Sequence, residues 1–195
     1  MQIFDVACFG TSLTEGTGND GAGSPPFGSY VPVLQRALAP GKSSRVRCYN
    51  FGSGGAWSTV GMTNYLTALK NVRPRAVIIE FMMNDCALLS TADSTANHLT
   101  IINTLKALPA PPAIFLVTMN PVIGNSSSAI ARINLNTYND IYRSLSLSEN
   151  VGLIDTYPNW AATPTDIPDG VHPTLAANIA KLIPRLVAAL SPLIQ

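Results

Sequence analysis

Two histidines, His98 and His172, are the only imidazoles in the sequence. His172 falls in Asp169-Gly170-Val171-His172-Pro173-Thr174, where a bend at Gly170 could bring the Asp169 carboxylate to the imidazole Nδ1. Such a contact fixes the tautomer and leaves Nε2 free as a base. The same run also suits a capped helix start with a solvated Asp and His, Pro173 opening the helix. His98, between Asn97 and Leu99, has no motif around it and reads as a surface or partly buried helix residue. Ser12 stands in Phe9-Gly10-Thr11-Ser12-Leu13-Thr14-Glu15-Gly16, just past an apolar run, where a hydroxyl can face a crevice or merely serve a turn or cap. The turn Asn50 to Trp57 offers bare backbone N–H groups, and Phe81-Met82-Met83-Asn84-Asp85 offers an amide side chain. Together these would make an oxyanion hole, each donor worth roughly 3 kcal/mol in a transition state. Separately they are a tight turn and an Asn-Asp helix cap.

The elements that must position these residues recur in alternation. Apolar, β-branched runs lie at Ile3 to Phe9, Val46 to Phe51, Ala76 to Phe81, Ala113 to Thr118 and Val151 to Ile154. Helical stretches are expected at about Tyr30 to Leu38, Thr59 to Lys70, Ser94 to Leu108, Ile130 to Leu147 and Thr174 to Leu190. Alternation of this kind predicts an α/β fold: a five-stranded parallel sheet covered on both faces. Right-handed crossovers restrict it to a flavodoxin-like three-layer α/β/α sandwich, with a ligand at the carboxyl ends of the strands. Gly16 to Ser29, with five glycines and two prolines, reads as a substrate rim. Within it Gly16 to Gly21 matches G-x-G-x-x-G, but no helix follows to hold a pyrophosphate, so a dinucleotide site is not expected. Asn120 to Ser128 is a second exposed connection.

Composition narrows the partners. The 195 residues suit a single domain, 1–195, and the 12 basic against 11 acidic residues give a net charge of +1. That leaves no basic footprint for nucleic acid. No apolar run approaches the ~20 residues that span a bilayer. The first nine residues carry no basic start followed by a long apolar stretch, so no secretory signal is read there. Cys8, Cys48 and Cys86 cannot all pair with one another, form no CxxC or Cys/His cluster, and read as buried thiols.

Taken together, Ser12, the glycine turn, Asn84 and the Asp169–Pro173 run resemble the four ordered blocks of the SGNH (GDSL-like) hydrolase family, a likeness that covers nearly the whole chain. The resemblance implies Ser12 as nucleophile, His172 as general base and Asp169 as its orienting partner. It implies Ser12 N–H, Gly55 N–H and the Asn84 side chain as oxyanion donors. Two positions depart from the family pattern: Thr11 where Gly-Asp-Ser has Asp, and Met82 where the third block has Gly. The G-x-S-x-G elbow of α/β-hydrolases is absent. The implied activity is hydrolysis of carboxylic esters through an acyl-enzyme, requiring no metal or organic cofactor. A small ester with a short acyl group, or an acylated carbohydrate, is the expected substrate, with Trp57 and Trp160 flanking the crevice and Met82 and Met83 narrowing it. Rival readings are a lysophospholipase or thioesterase, a glycan-binding module without catalysis, and a flavoprotein on the same fold.

Overall fold

Five parallel strands form one sheet in the computed structural model, which describes residues 2–16 and 28–195. They are β1 (Ile3–Gly10), β2 (Arg45–Gly52), β3 (Ala76–Glu80), β4 (Ala113–Thr118) and β5 (Gly152–Asp155). The order is β2-β1-β3-β4-β5, with Gly10 in register with both Gly52 and Glu80. The central strands β1 and β3 are apolar almost throughout because both their faces are covered, and β3 is buried at every position. At the edge, Arg47 forks onto Asp5 at 2.6 and 2.7 Å and lies over the Tyr49 ring.

The first helices are α1 (Ser12–Glu15), α2 (Val31–Leu38), α3 (Ser58–Val60), α4 (Leu66–Asn71) and α5 (Met82–Leu88). After them come α6 (Thr91–Lys106), α7 (Ser127–Ile130), α8 (Leu135–Ser148), α9 (Leu175–Ala177) and α10 (Ile183–Leu190). From β1 the chain steps to β2, then returns past β1 to β3 and continues outward. Right-handed connections running in opposite directions put their helices on opposite faces. Accordingly α2 packs with α10, and α6 packs with α8. The winding reverses between β1 and β3, and the loops leaving those strands open a crevice at their carboxyl ends. Phe9 and Phe81 close the floor there, edge to face with ring centroids 4.8 Å apart.

Several expected helices differ in detail. The stretch expected at Thr59 to Lys70 is α3, a wide π segment at Gly61–Tyr65, and α4. The last expected helix is likewise interrupted by a π segment at Asn178–Leu182. Pro184 follows it and has no N–H to give the carbonyl of Ala180, so the regular ladder cannot run through. The expected Ile130 to Leu147 helix divides into α7 and α8, and α6 starts earlier, capped by Ser90, whose hydroxyl accepts the Asp93 N–H at 3.1 Å. Residues 17–27 of the expected substrate rim, and with them most of the G-x-G-x-x-G match, lie outside the described residues. No described helix is long and apolar enough to cross a membrane.

Candidate active site

At the end of β1 the chain turns through Thr11 into the single turn α1. Thr11 caps that turn, its hydroxyl accepting the Leu13 N–H at 3.2 Å. Beneath it lies Glu80, the last residue of β3 and 1% exposed. One Glu80 oxygen accepts the Thr11 N–H at 2.7 Å, the Thr14 hydroxyl at 2.6 Å and the Thr14 N–H at 3.2 Å. The Thr11 hydroxyl lies 3.1 Å from both carboxyl oxygens. Only a glycine fits at position 10, since a Cβ there would stand 2.3 Å from Glu80 Oε1. Burial pushes the Glu80 carboxyl up to about 7, outweighing the hydrogen bonds from Thr14 and Thr11 that favour its ionised form. On the far side, Ser29 Oγ and Asn50 Nδ2 donate to the Thr14 carbonyl at 2.7 and 3.1 Å.

So held, Ser12 places its Oγ 2.8 Å from Nε2 of His172, a residue 160 positions away. On the other side of the ring, His172 Nδ1 stands 2.6 Å from Asp169 Oδ2. The second Asp169 oxygen accepts the backbone N–H groups of Val171 and His172 at 2.9 and 2.7 Å. Partial burial raises the Asp169 carboxyl, but the His172 amide, the imidazole and the Val171 amide together hold it below the usual carboxylate range. The bend that makes this possible is Gly170, at φ +84°, where a Cβ would meet the Ile123 carbonyl oxygen at 2.4 Å. Pro173 lies outside the helix it was expected to open: Thr174 is the cap, accepting the Ala177 N–H at 3.2 Å.

Two further loops leave the same end of the sheet, after β2 and β3, and are bonded to each other. Asn84, 2% exposed, donates from Nδ2 to the Ala56 carbonyl at 2.8 Å. Next to it, Asp85 accepts the Ser58 N–H at 2.8 Å and the Ser94 hydroxyl at 2.6 Å. These bonds zip the glycine turn to the start of α5. The whole is anchored from below by His98, which is fully buried. Its Nδ1 donates to the Ser94 carbonyl at 2.8 Å, and Nε2 accepts from Tyr142 Oη at 2.9 Å. Tyr142 in turn accepts the Phe81 N–H at 3.0 Å. Burial lowers the His98 pKa against the opposing pull of Asp85 and the Ser94 carbonyl, keeping the ring neutral. Among the described residues, the N–H groups of Ser12 and Gly55 have no acceptor. Gly55 and Asn84 share one wall of an open depression of about 350 Å³. A hydroxyl in contact with an oriented imidazole can attack a carbonyl, and unoccupied N–H groups are the kind of donor that receives the charge developing on a carbonyl oxygen.

Not every expected residue comes to this place. Met82 and Met83 are 3% and 2% exposed and Trp160 is 1% exposed, all packed in the core, so they present no face to a ligand. Met82 points away because α5 is a helix where a turn was expected, and its sulfur lies 3.7 Å from the Ser94 hydroxyl behind that helix. Trp57 is half-buried just beyond the glycine turn. His98 is an interior residue, not a surface one, and of the cysteines only Cys8 is fully buried. Among the described residues, no group of three or more His, Cys, Asp or Glu could hold a metal ion. Glu80 and Arg132 belong to no motif in the sequence. A carboxylate ending the otherwise apolar strand Ala76–Glu80 was a visible signal, whereas nothing around Arg132 marks it.

Known proteins resemble the chain at two levels. The model of the family described as GDSL-like lipase/acylhydrolase matches residues 8–178. Among solved structures, a lipase/acylhydrolase from Enterococcus faecalis superposes with TM-score 0.80 at 22% identity, covering 98% of this chain and 97% of that one. A carbohydrate acetylesterase from Sinorhizobium meliloti gives 0.79 at 18% identity, covering 97% and 99%. The M. smegmatis aryl esterase gives 0.73 at 18%, with the same coverage. No curated protein matches the sequence. Likenesses at these identities establish the shared sandwich, while the family match spans most of the sequence and all four blocks. The chain belongs to the GDSL-like lipase/acylhydrolase family.

Proposed function

We propose that this protein is a serine esterase that transfers short acyl groups from esters to water. The observation that carries the reading is the 2.8 Å contact of Ser12 Oγ with His172 Nε2, on an imidazole whose other nitrogen meets Asp169 at 2.6 Å. His172 takes the Ser12 hydroxyl proton as Oγ bonds to the ester carbonyl carbon, and the carbonyl oxygen becomes an oxyanion. Ser12 N–H, Gly55 N–H and Asn84 Nδ2 donate to that oxyanion. Collapse breaks the bond to the alcohol, which leaves with the proton held on His172. Water then attacks the acyl-enzyme while His172 takes its proton, and the freed acid departs as Ser12 recovers its hydrogen.

An acetyl or similarly short acyl group suits the open depression beside Gly55 and Asn84, and the half-buried Trp57 offers a ring for a sugar alcohol to stack on. The carbohydrate acetylesterase of the same fold supports that choice of substrate. A specific observation favours a second reading, hydrolysis of longer acyl chains: Leu88, 55% exposed, lines the same depression. Native protein and Ser12→Ala, compared on chromogenic acetyl and longer-chain esters with fluorophosphonate labelling alongside, test all of this. Labelling and turnover should vanish in Ser12→Ala, and equal turnover by the two proteins removes Ser12 from the mechanism. Preference for long chains over acetyl selects the second reading.

A further inference from the structure

The oxyanion role of Asn84, on which this inference rests, requires its amide to present a proton and not a lone pair. A primary amide turned by 180° offers its carbonyl instead, which would repel a developing oxyanion. Two neighbours decide the orientation. Arg132 Nη2 donates to Asn84 Oδ1 at 2.7 Å, and a guanidinium has donors only. Ala56 O, which can only accept, takes one Nδ2 proton at 2.8 Å. Both contacts enforce the same orientation, and the second Nδ2 proton has no acceptor among the described residues.

Arg132 is itself fixed at three points. Besides Asn84, its Nε donates to the Met83 carbonyl and its Nη1 to the Ser128 carbonyl, each at 2.8 Å. It is the only charged residue among the described residues lining the depression that holds Gly55 and Asn84. A cation bonded to the amide oxygen draws electron density from the nitrogen, strengthening the remaining N–H as a donor. The segment that delivers Arg132 also bonds to the loop that carries Asp169 and His172. Asn120 Nδ2 donates to Val171 O at 2.8 Å, Ile123 N–H to Gly170 O at 2.9 Å and Ser126 Oγ to Asp169 O at 3.3 Å. Ser126 then caps α7, which leads directly to Arg132. One connection therefore sets the spacing between the imidazole and the amide.

We infer that Arg132 is the positioning residue of the oxyanion hole, holding Asn84 donor-outward and polarising its amide as charge develops on the substrate. The test compares native protein, Arg132→Ala and Arg132→Lys on a chromogenic acetyl ester, with melting temperatures recorded and guanidinium added at millimolar concentration. For Arg132→Ala, kcat should fall about 10²-fold with KM changed less than about threefold, and guanidinium should restore at least about tenfold of the loss. Lysine keeps the charge but cannot fork onto Met83 O and Asn84 Oδ1 together, so Arg132→Lys should also lose at least about tenfold in kcat. That variant carries the test should the alanine protein not fold. The inference is overturned by a folded Arg132→Ala with native kcat, by an Arg132→Lys with native kcat, or by a loss confined to KM or melting temperature that guanidinium does not relieve. Native protein that neither turns over ester nor labels with fluorophosphonate overturns the serine esterase reading itself, which separates the two failures.

Discussion

Replacing Glu80 by Gln isolates the charge buried beneath the turn that carries Ser12. Glu80 titrates at about 7 in the fold against 4.5 ordinarily, because burial penalises its ionised form. The folded protein therefore holds this proton more tightly than the unfolded chain does. Below pH 4.5 both states carry it and nothing is lost; from 4.5 to about 7 the unfolded chain ionises first and stability drains away; above 7 the loss is complete. At 1.36 kcal/mol per unit, the interval amounts to about 3 kcal/mol. Glutamine never ionises, and its shape suits the site: Oε1 keeps the Thr11 and Thr14 donors, while the amino group replaces the oxygen 3.1 Å from the Thr11 hydroxyl. The stability of Glu80→Gln relative to native protein should rise by about 3 kcal/mol between pH 4.5 and 7.5 and then level off. Urea unfolding at several pH values reads this directly, as a gap in midpoint of roughly 1 M or more at the alkaline end. Parallel pH profiles for the two proteins would refute the reasoning, because they would mean Glu80 ionises as freely in the fold as outside it.

Asn84→Ala should lower kcat by about 10²-fold or more with little change in KM, measured by steady-state ester hydrolysis; a loss of stability alone would leave Asn84 only a structural tie between α5 and the glycine turn. Asp169→Asn should cost about 10³ to 10⁴-fold in kcat, since an amide cannot hold Nδ1–H in the same way. Asp169 lies below the usual carboxylate range, so its stabilising contacts are complete above pH ~4 and fade as acid takes the pH through its lowered pKa; the stability gap to Asp169→Asn, followed by chemical unfolding, should close there. Gly170→Ala should lower stability by about 2 kcal/mol or more, read by thermal unfolding, because it combines φ +84° with a 2.4 Å approach to Ile123 O.

How much of this was legible depended on whether a residue's task was local. The strands showed as apolar runs because both faces of a parallel sheet are buried, and Ala113 to Thr118 matched the observed strand at both ends. Asp169 and His172 were readable because three residues and one glycine suffice to bring them together. Met82 and Trp160 misled because a large apolar side chain next to a motif looks the same whether it faces a cleft or the core. The start of α5 at Phe81 to Asp85 is tied by Asp85 to Ser58, 27 residues away, a bond that no local window of sequence contains. Arg132 was unreadable for a related reason, two of its three acceptors, Met83 O and Asn84 Oδ1, being supplied by α5 nearly fifty residues earlier.

The interior placement of His98 has a spectroscopic consequence. Its Nδ1–H is committed to one carbonyl, its Nε2 to one hydroxyl, and its surroundings disfavour charge. In a nitrogen-edited NMR spectrum the ring should report a single frozen tautomer and stay still while the buffer is acidified. With only two imidazoles in the chain, the ring signals left over once the hydrogen-bonded pair of His98 is assigned belong to His172, without making a mutant.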